Sequence, residues 1–188
     1  MIFNTYIIKS MSSFSSLVDY ANQVDSEVVS YDTETNHKQE IKADLWGFSV
    51  VFTEAKAFYI PWRYPDGQYF WSPSDRQTIV SWLKKITEEK YVIGHNVLYD
   101  VLVTENNFKF DFTNNIIADT ILMHHAIHEE PPHGLKEVAV KFLGEWADKA
   151  QDKLKQEVLA AGGSWNNDQK DMYLASTETL LSTCVPLS

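Results

Sequence analysis

The sequence holds one cysteine, Cys184, among 188 residues. An internal disulfide is therefore excluded, and a lone thiol suits a reducing compartment. No apolar run approaches the ~18 residues that a membrane-spanning helix needs. The N-terminus lacks the basic and apolar blocks of a secretory leader. These absences lead to the expectation of a cytoplasmic protein with no membrane partner. Positive charge is also scarce: 16 Lys and Arg face 26 Asp and Glu, a formal net charge of −10. Such a surface cannot grip nucleic acid by bulk electrostatics, which takes the opposite sign. Two readings are left: plain solubility, or carboxylates that hold divalent cations against a phosphate substrate. Repeats, low-complexity tracts and linkers are missing too, so a single domain over residues 1–188 is expected.

What is present points to a packed α/β fold. Hydrophobic residues make up 44% and aromatics 13% of the chain, enough for a sizeable core. Ser12–Val24 carries Phe14, Leu17, Val18 and Ala21 at helical spacing. Glu27–Asp32, Leu45–Thr53 and Ala57–Trp62 read as strands, with Glu54-Ala55-Lys56 as a hairpin gap. Ser72-Pro73-Ser74-Asp75 opens a helix running to Glu89. Tyr91–Gly94 reads as a short strand and Asn96–Asn106 as a helix, and Ile116–Ala118 is a brief apolar run ahead of another helix. Further helices are expected over Gly134–Leu143, Asp148–Ala161 and from Ser176 to Cys184. Strands in an antiparallel start followed by alternating helices and strands fit a mixed sheet flanked by helices, an RNase H-like arrangement.

Two stretches carry the chemistry. In VVSYDTETN, Asp32 and Glu34 stand two apart at the end of a strand and so project from one face. Neighbouring carboxylates repel, and a divalent cation such as Mg²⁺ or Mn²⁺ removes the conflict. Alone, Asp32-Thr33-Glu34 reads more readily as a solvated acidic turn than as a metal pair. In VIGHNVLYD, a short strand meets a polar turn where Asn96 is placed to cap the next helix. Asn96 and Asp100 share a helix face, and Asp100 on the first turn also answers the helix dipole. Asp119, at a strand-to-helix boundary, reads as a structural cap. His124 and His128 stand at i, i+4, yet position 125 is His where a metalloprotease helix needs Glu. No third ligand has a recognisable spacing, so an ordinary helix face is expected there.

Together, YDTETN and GHNVLYD resemble the first and second motifs of the proofreading 3′–5′ exonuclease domain of family A DNA polymerases, the DNA polymerase I type. IADTILM at 117–123 and PHGLKEVA at 132–139 add to the likeness, which runs from about residue 26 to the end. The resemblance implies a two-metal phosphodiesterase acting on the 3′ end of single-stranded DNA. By the match, Asp32, Glu34 and Asp100 are the catalytic carboxylates that hold two divalent cations, Mg²⁺ or Mn²⁺. Asn96 and Tyr99 lie where the terminal nucleotide is held, with Thr33 and Thr35 offering backbone or hydroxyl contacts beside it.

The family's third motif is a Tyr with an Asp four residues on, or in a sister branch a His with an Asp five on. No Tyr in this chain has that partner, and the one matching His is His95 with Asp100, already in use. The aligned positions in the last helix are Thr183 and Leu187, and Pro186 would break a helix there. The domain is therefore expected to be cut short at its last helix. A separately encoded polymerase domain is one partner that would supply the missing Asp. The competing expectation is a degenerate module that binds 3′ ends or a polymerase without efficient cleavage.

Overall fold

The computed structural model describes residues 4–37, 39–53, 56–64 and 66–144, together with Gln156, Leu159 and Ala160. The elements are β1 (Asn4–Ile7), α1 (Met11–Gln23), β2 (Val28–Thr35), β3 (Leu45–Thr53), β4 (Lys56–Pro61), α2 (Pro73–Glu89), β5 (Tyr91–Gly94), α3 (Val97–Phe108), β6 (Ile116–Asp119), α4 (Thr120–Ile127) and α5 (Leu135–Leu143). Six strands form one sheet in the order β1-β4-β3-β2-β5-β6. β2, β3 and β4 pair antiparallel, whereas β1 joins β4, and β5 joins β2 and β6, in parallel. This is the RNase H-like mixed sheet that the element order implies. The expected helices 148–161 and 176–184 lie outside the described residues, apart from Gln156, Leu159 and Ala160, which are helical. Among the described residues, no helix is long and apolar enough to cross a membrane.

Two differences from the sequence reading matter. β1 was not anticipated, because NTYI alternates too briefly to stand out, and it is the parallel pairing with Lys56–Tyr59 that makes it a strand. β2 does not stop at Asp32 but runs to Thr35, held by its partner Leu45 across a bulge after Glu34.

The sheet has two unlike faces, set by the period of two along each strand. One carries Tyr31 and Thr33 from β2, Phe48 and Val50 from β3, and Phe58 and Ile60 from β4. Helix rings meet it: Tyr20 of α1 lies 5.2 Å from Phe58, and Phe108 of α3 lies 5.9 Å from Phe48. Trp82 of α2 joins through an edge contact with Phe14. Burying such rings is the main stabilising term, roughly 25 cal/mol per Å² of apolar surface. The opposite face carries Ser30, Asp32 and Glu34, then Ser49 and Gly47, then Ala57 and Tyr59. Val51 and Ala57 are buried on that face as well, but next to Asp32 and Glu34 its β3 positions are the small Ser49 and Gly47, which leaves room there for chemistry.

Candidate active site

β5 pairs with β2 only as far as Ser30↔Ile93 and ends at Gly94. Beyond that point the edge of β2 is open, and the first turns of α3 fill it. The approach is close: a Cβ on Gly94 would sit 3.1 Å from the Tyr31 carbonyl oxygen and 3.2 Å from Val97. Asp100 of α3, 3% exposed, therefore takes the place of a missing strand. Its Oδ1 accepts from the Thr33 backbone N–H at 2.9 Å and from the Thr33 hydroxyl at 2.5 Å. A backbone donor that β5 would otherwise satisfy is satisfied by a carboxylate instead.

The three candidate carboxylates feel one another. Burial pushes the Asp32 carboxyl well above its ordinary range, and the charges of Asp100 and Glu34 push it further. Burial raises Asp100 to about 7 against the two bonds from Thr33, with the Glu34 charge adding to the rise. At neutral pH the cluster is thus short of positive charge and shares protons in its place. Such a hard-oxygen donor set with excess negative charge fits a divalent cation. Both bonds from Thr33 fall on Oδ1, so Oδ2 is the Asp100 oxygen left to face an ion. Among the described residues, however, no group of three or more His, Cys, Asp or Glu side chains is arranged to hold an ion as it stands. The fit is one of charge and donor type, and substrate, water or other residues must complete the set.

The remaining candidates divide. Tyr99 is brought to the acid cluster: its hydroxyl is 2.6 Å from the Thr35 hydroxyl and donates to the His37 carbonyl at 2.7 Å. Burial raises its phenol, and the charges of Asp100, Glu40 and Glu34 add to the rise. Thr33 and Thr35 are both buried, and their hydroxyls turn inward to Asp100 and Tyr99. Their hydroxyls hold the cluster together, at the positions where the sequence reading expects backbone or hydroxyl contacts beside a terminal nucleotide. The anticipated Asn96 cap is absent too. Asn96 takes a left-handed backbone (φ 58°), and its side chain makes no capping bond.

Asp119 does that work across the sheet. It accepts from the backbone N–H of Asn96 at 2.8 Å and of Val97 at 2.9 Å, while also capping α4 through Ile121 at 3.0 Å. Its structural role is as expected, but its hold on α3 was not legible, because the contact spans 23 positions. A second neighbour missed by sequence is Tyr59, whose ring lies over Gly47 on the acid-bearing face. The third-motif positions Thr183 and Leu187 lie outside the described residues.

Residues 7–167 match the family model described as 3′–5′ exonuclease, the DNA polymerase A type. The chain belongs to the 3′–5′ exonuclease family. Members of this family are phosphodiester hydrolases. DNA polymerase I of Pseudomonas aeruginosa is 26% identical over 133 residues, which cover 68% of this chain. This chain spans 14% of that polymerase's length. Among solved structures, Brucella melitensis NrnC with bound Mg²⁺, and the same protein bound to pGG, each superpose at a TM-score of 0.57 with 15% identity. Each match covers 100% of this chain and 75% of NrnC. Escherichia coli RNase D, an exoribonuclease involved in structured RNA processing, superposes at 0.59 with 17% identity, covering 100% of this chain and 42% of its own. At such identities the structural likeness shows the fold of the 3′–5′ exonucleases and no more.

Proposed function

We propose that this chain removes nucleotides from the 3′ end of single-stranded DNA, with Asp32, Glu34 and Asp100 holding two divalent cations, Mg²⁺ or Mn²⁺. The observation that carries the reading is the crowding of these three carboxylates at the edge that β5 leaves open. When bound, the cations activate a water and take up charge that develops on the phosphate and the leaving oxygen. The chain's own residues orient and hold. Asp32 and Glu34 project together from one strand. Thr33 aims Asp100 at them, and Asp119 pins the start of α3 so that Asp100 stays in place. Tyr99, anchored on Thr35 and the His37 carbonyl, forms a wall where the terminal nucleotide rests, and Asn96 stands at the rim. The likeness to a polymerase supports DNA proofreading, in a reducing, cytoplasmic setting, with a separately encoded polymerase as a candidate partner. The likeness to NrnC and RNase D supports short oligonucleotides or RNA as the competing substrates.

A second reading follows from Thr183 and Leu187, which stand where the family pattern needs Tyr and Asp. On that reading the chain binds 3′ ends or a polymerase without efficient cleavage. One experiment separates the two: the purified chain is incubated with 5′-labelled single-stranded DNA or RNA and Mg²⁺ or Mn²⁺, beside Asp32→Ala. Metal-dependent shortening that Asp32→Ala abolishes supports the enzyme. Binding without shortening supports the module, and shortening that survives Asp32→Ala overturns the site.

A further inference from the structure

The acid-bearing face of the sheet holds an aromatic side chain close to the acid pair, Tyr59 of β4. Gly47 of β3 pairs with Glu34 of β2 on one side and with Pro61 of β4 on the other. In register, Ser49 likewise joins Asp32 to Tyr59. Side chains of directly paired residues point to the same face, so Asp32, Glu34, Gly47 and Tyr59 share one. The Tyr59 ring leans along the sheet into the space Gly47 leaves empty. A Cβ on Gly47 would lie 2.1 Å from the Tyr59 hydroxyl oxygen and 2.3 Å from its Cζ. No side chain fits there while the ring is in place. Paired Cβ atoms stand about 5 Å apart. The Tyr59 hydroxyl thus comes within roughly 7 Å of the Glu34 Cβ at most, and the glutamate's reach of about 4 Å together with a hydrogen bond of about 2.7 Å covers most of that distance.

We propose that Tyr59 is a positioning residue of the candidate active site, its hydroxyl donating to the Glu34 carboxylate and fixing its aim beside Asp32. Gly47 is glycine so that the phenol can reach across. The inference rests on the reading of Asp32 and Glu34 as the cation-holding pair. Its chemistry is specific. A carboxylate bonded to a phenol keeps its charge while losing rotational freedom, which favours one arrangement of donors around an ion. The phenol arrives from β4, on the opposite side of the acid pair from Asp100, so the pair is held from both flanks.

Three measurements test this. The first needs neither metal nor substrate: a double-variant cycle in chemical unfolding between Tyr59→Phe and Glu34→Gln. The expected result is non-additivity, with the combined shift in the unfolding equilibrium falling several-fold short of the product of the single shifts. Additive effects would overturn the contact. The second is Mn²⁺ titration calorimetry, in which Tyr59→Phe should weaken binding roughly 10-fold, the scale of a lost bond to a charged group. The third is the exonuclease assay, with kcat lowered more than KM. Gly47→Ala, which displaces the ring and leaves every oxygen in the chain, should reproduce the loss of Mn²⁺ affinity. Tyr59→Phe with wild-type Mn²⁺ affinity and cleavage, beside an Asp32→Ala that has lost both, would overturn the positioning role and leave the site reading standing. Wild-type behaviour in Asp32→Ala would instead overturn the site reading itself.

Discussion

Between β2 and α3, Asp32, Glu34 and Asp100 press carboxylates together; around α4 and α5, His124 and Lys141 gather nitrogen bases with His128 and His133 of the segment between the two helices. Both clusters consist of metal-ligand residue types, and the helix pair His124/His128 invites a metal reading as readily as Asp-x-Glu does. The structure even supplies the third imidazole that sequence spacing could not find, since His133 Nδ1 lies 2.8 Å from His124 Nδ1. The imidazole cluster nevertheless settles without an ion. Lys141 Nζ stands 3.2 Å from His124 Nε2, and a charged lysine can only donate. His124 Nε2 therefore accepts, its Nδ1 carries the hydrogen, and His133 Nδ1 accepts in turn. A metal on Nδ1 would have to displace that hydrogen beside a cation. Burial, then the charges of Lys141 and the neighbouring imidazoles, hold His124 below its ordinary range. Losing its proton satisfies His124 at neutral pH. The acid cluster, with Asp100 raised to about 7, is caught half-way. Ligand-type residues make a candidate site where protonation leaves the charge conflict unresolved.

The contrast breaks first on activity. Asp100→Asn keeps an acceptor for Thr33 but removes a buried charge. Cleavage should fall by about 10² or more, while the metal-free protein melts higher than wild type. A loss of both activity and stability would mean that Asp100 is chiefly structural. His124→Gln, which can still accept from Lys141 and donate to His133, should leave cleavage rates within about twofold of wild type.

The pH dependence of stability should carry opposite signs in the two clusters. Asp32 and Asp100 have pKa values raised by folding, so ionising them costs stability. Metal-free protein should gain stability as pH falls from about 8 through about 7 toward 4. Asp100 alone contributes up to ~4 kcal/mol, at about 1.4 kcal/mol per unit. His124 and His95 have pKa values lowered by folding, so their contribution is present above about 6.5 and is lost as pH falls below it. Melting temperatures across pH 8 to 5, with and without His124→Gln, separate the two. The variant should remove the His124 share of the acid-side loss and leave the gain near pH 7 intact. A melting temperature that drops steadily from pH 8 to 6 in the absence of metal would contradict the acid-cluster account.

A smaller effect tests the support beneath the acid cluster. Thr33→Val deletes one of two donors to Asp100 and should cost about 1–2 kcal/mol in chemical unfolding. Thr33→Ser should recover most of it. A loss in Thr33→Ser beside a wild-type Thr33→Val would show that the methyl group, not the hydroxyl, matters at that position.

Much of this arrangement is legible in the residue order. Helices α1, α2 and α3, the β3–β4 pair and the Asp32/Glu34 face follow from local periodicity, which neighbouring residues enforce by themselves. What escapes is set by distant partners. β1 exists because β4 offers it an edge, and β2 is longer than it looks because β3 continues beside it. Asn96 looks like a cap, but a carboxylate 23 positions later reaches its backbone. Thr33 and Thr35 look like polar residues awaiting a substrate, but α3 packs against them and claims their hydroxyls. Tyr59 is invisible as a site residue until the register places Gly47 between it and Glu34.

The central claim is that Asp32, Glu34 and Asp100 seat divalent cations, and titration calorimetry with Mn²⁺ at pH 7.5 tests it most directly. The account predicts saturable binding by the wild-type chain and its loss in an Asp32→Asn/Asp100→Asn double variant that still melts cooperatively. An isotherm unchanged in the double variant, or a wild-type chain that takes up no Mn²⁺, would contradict it.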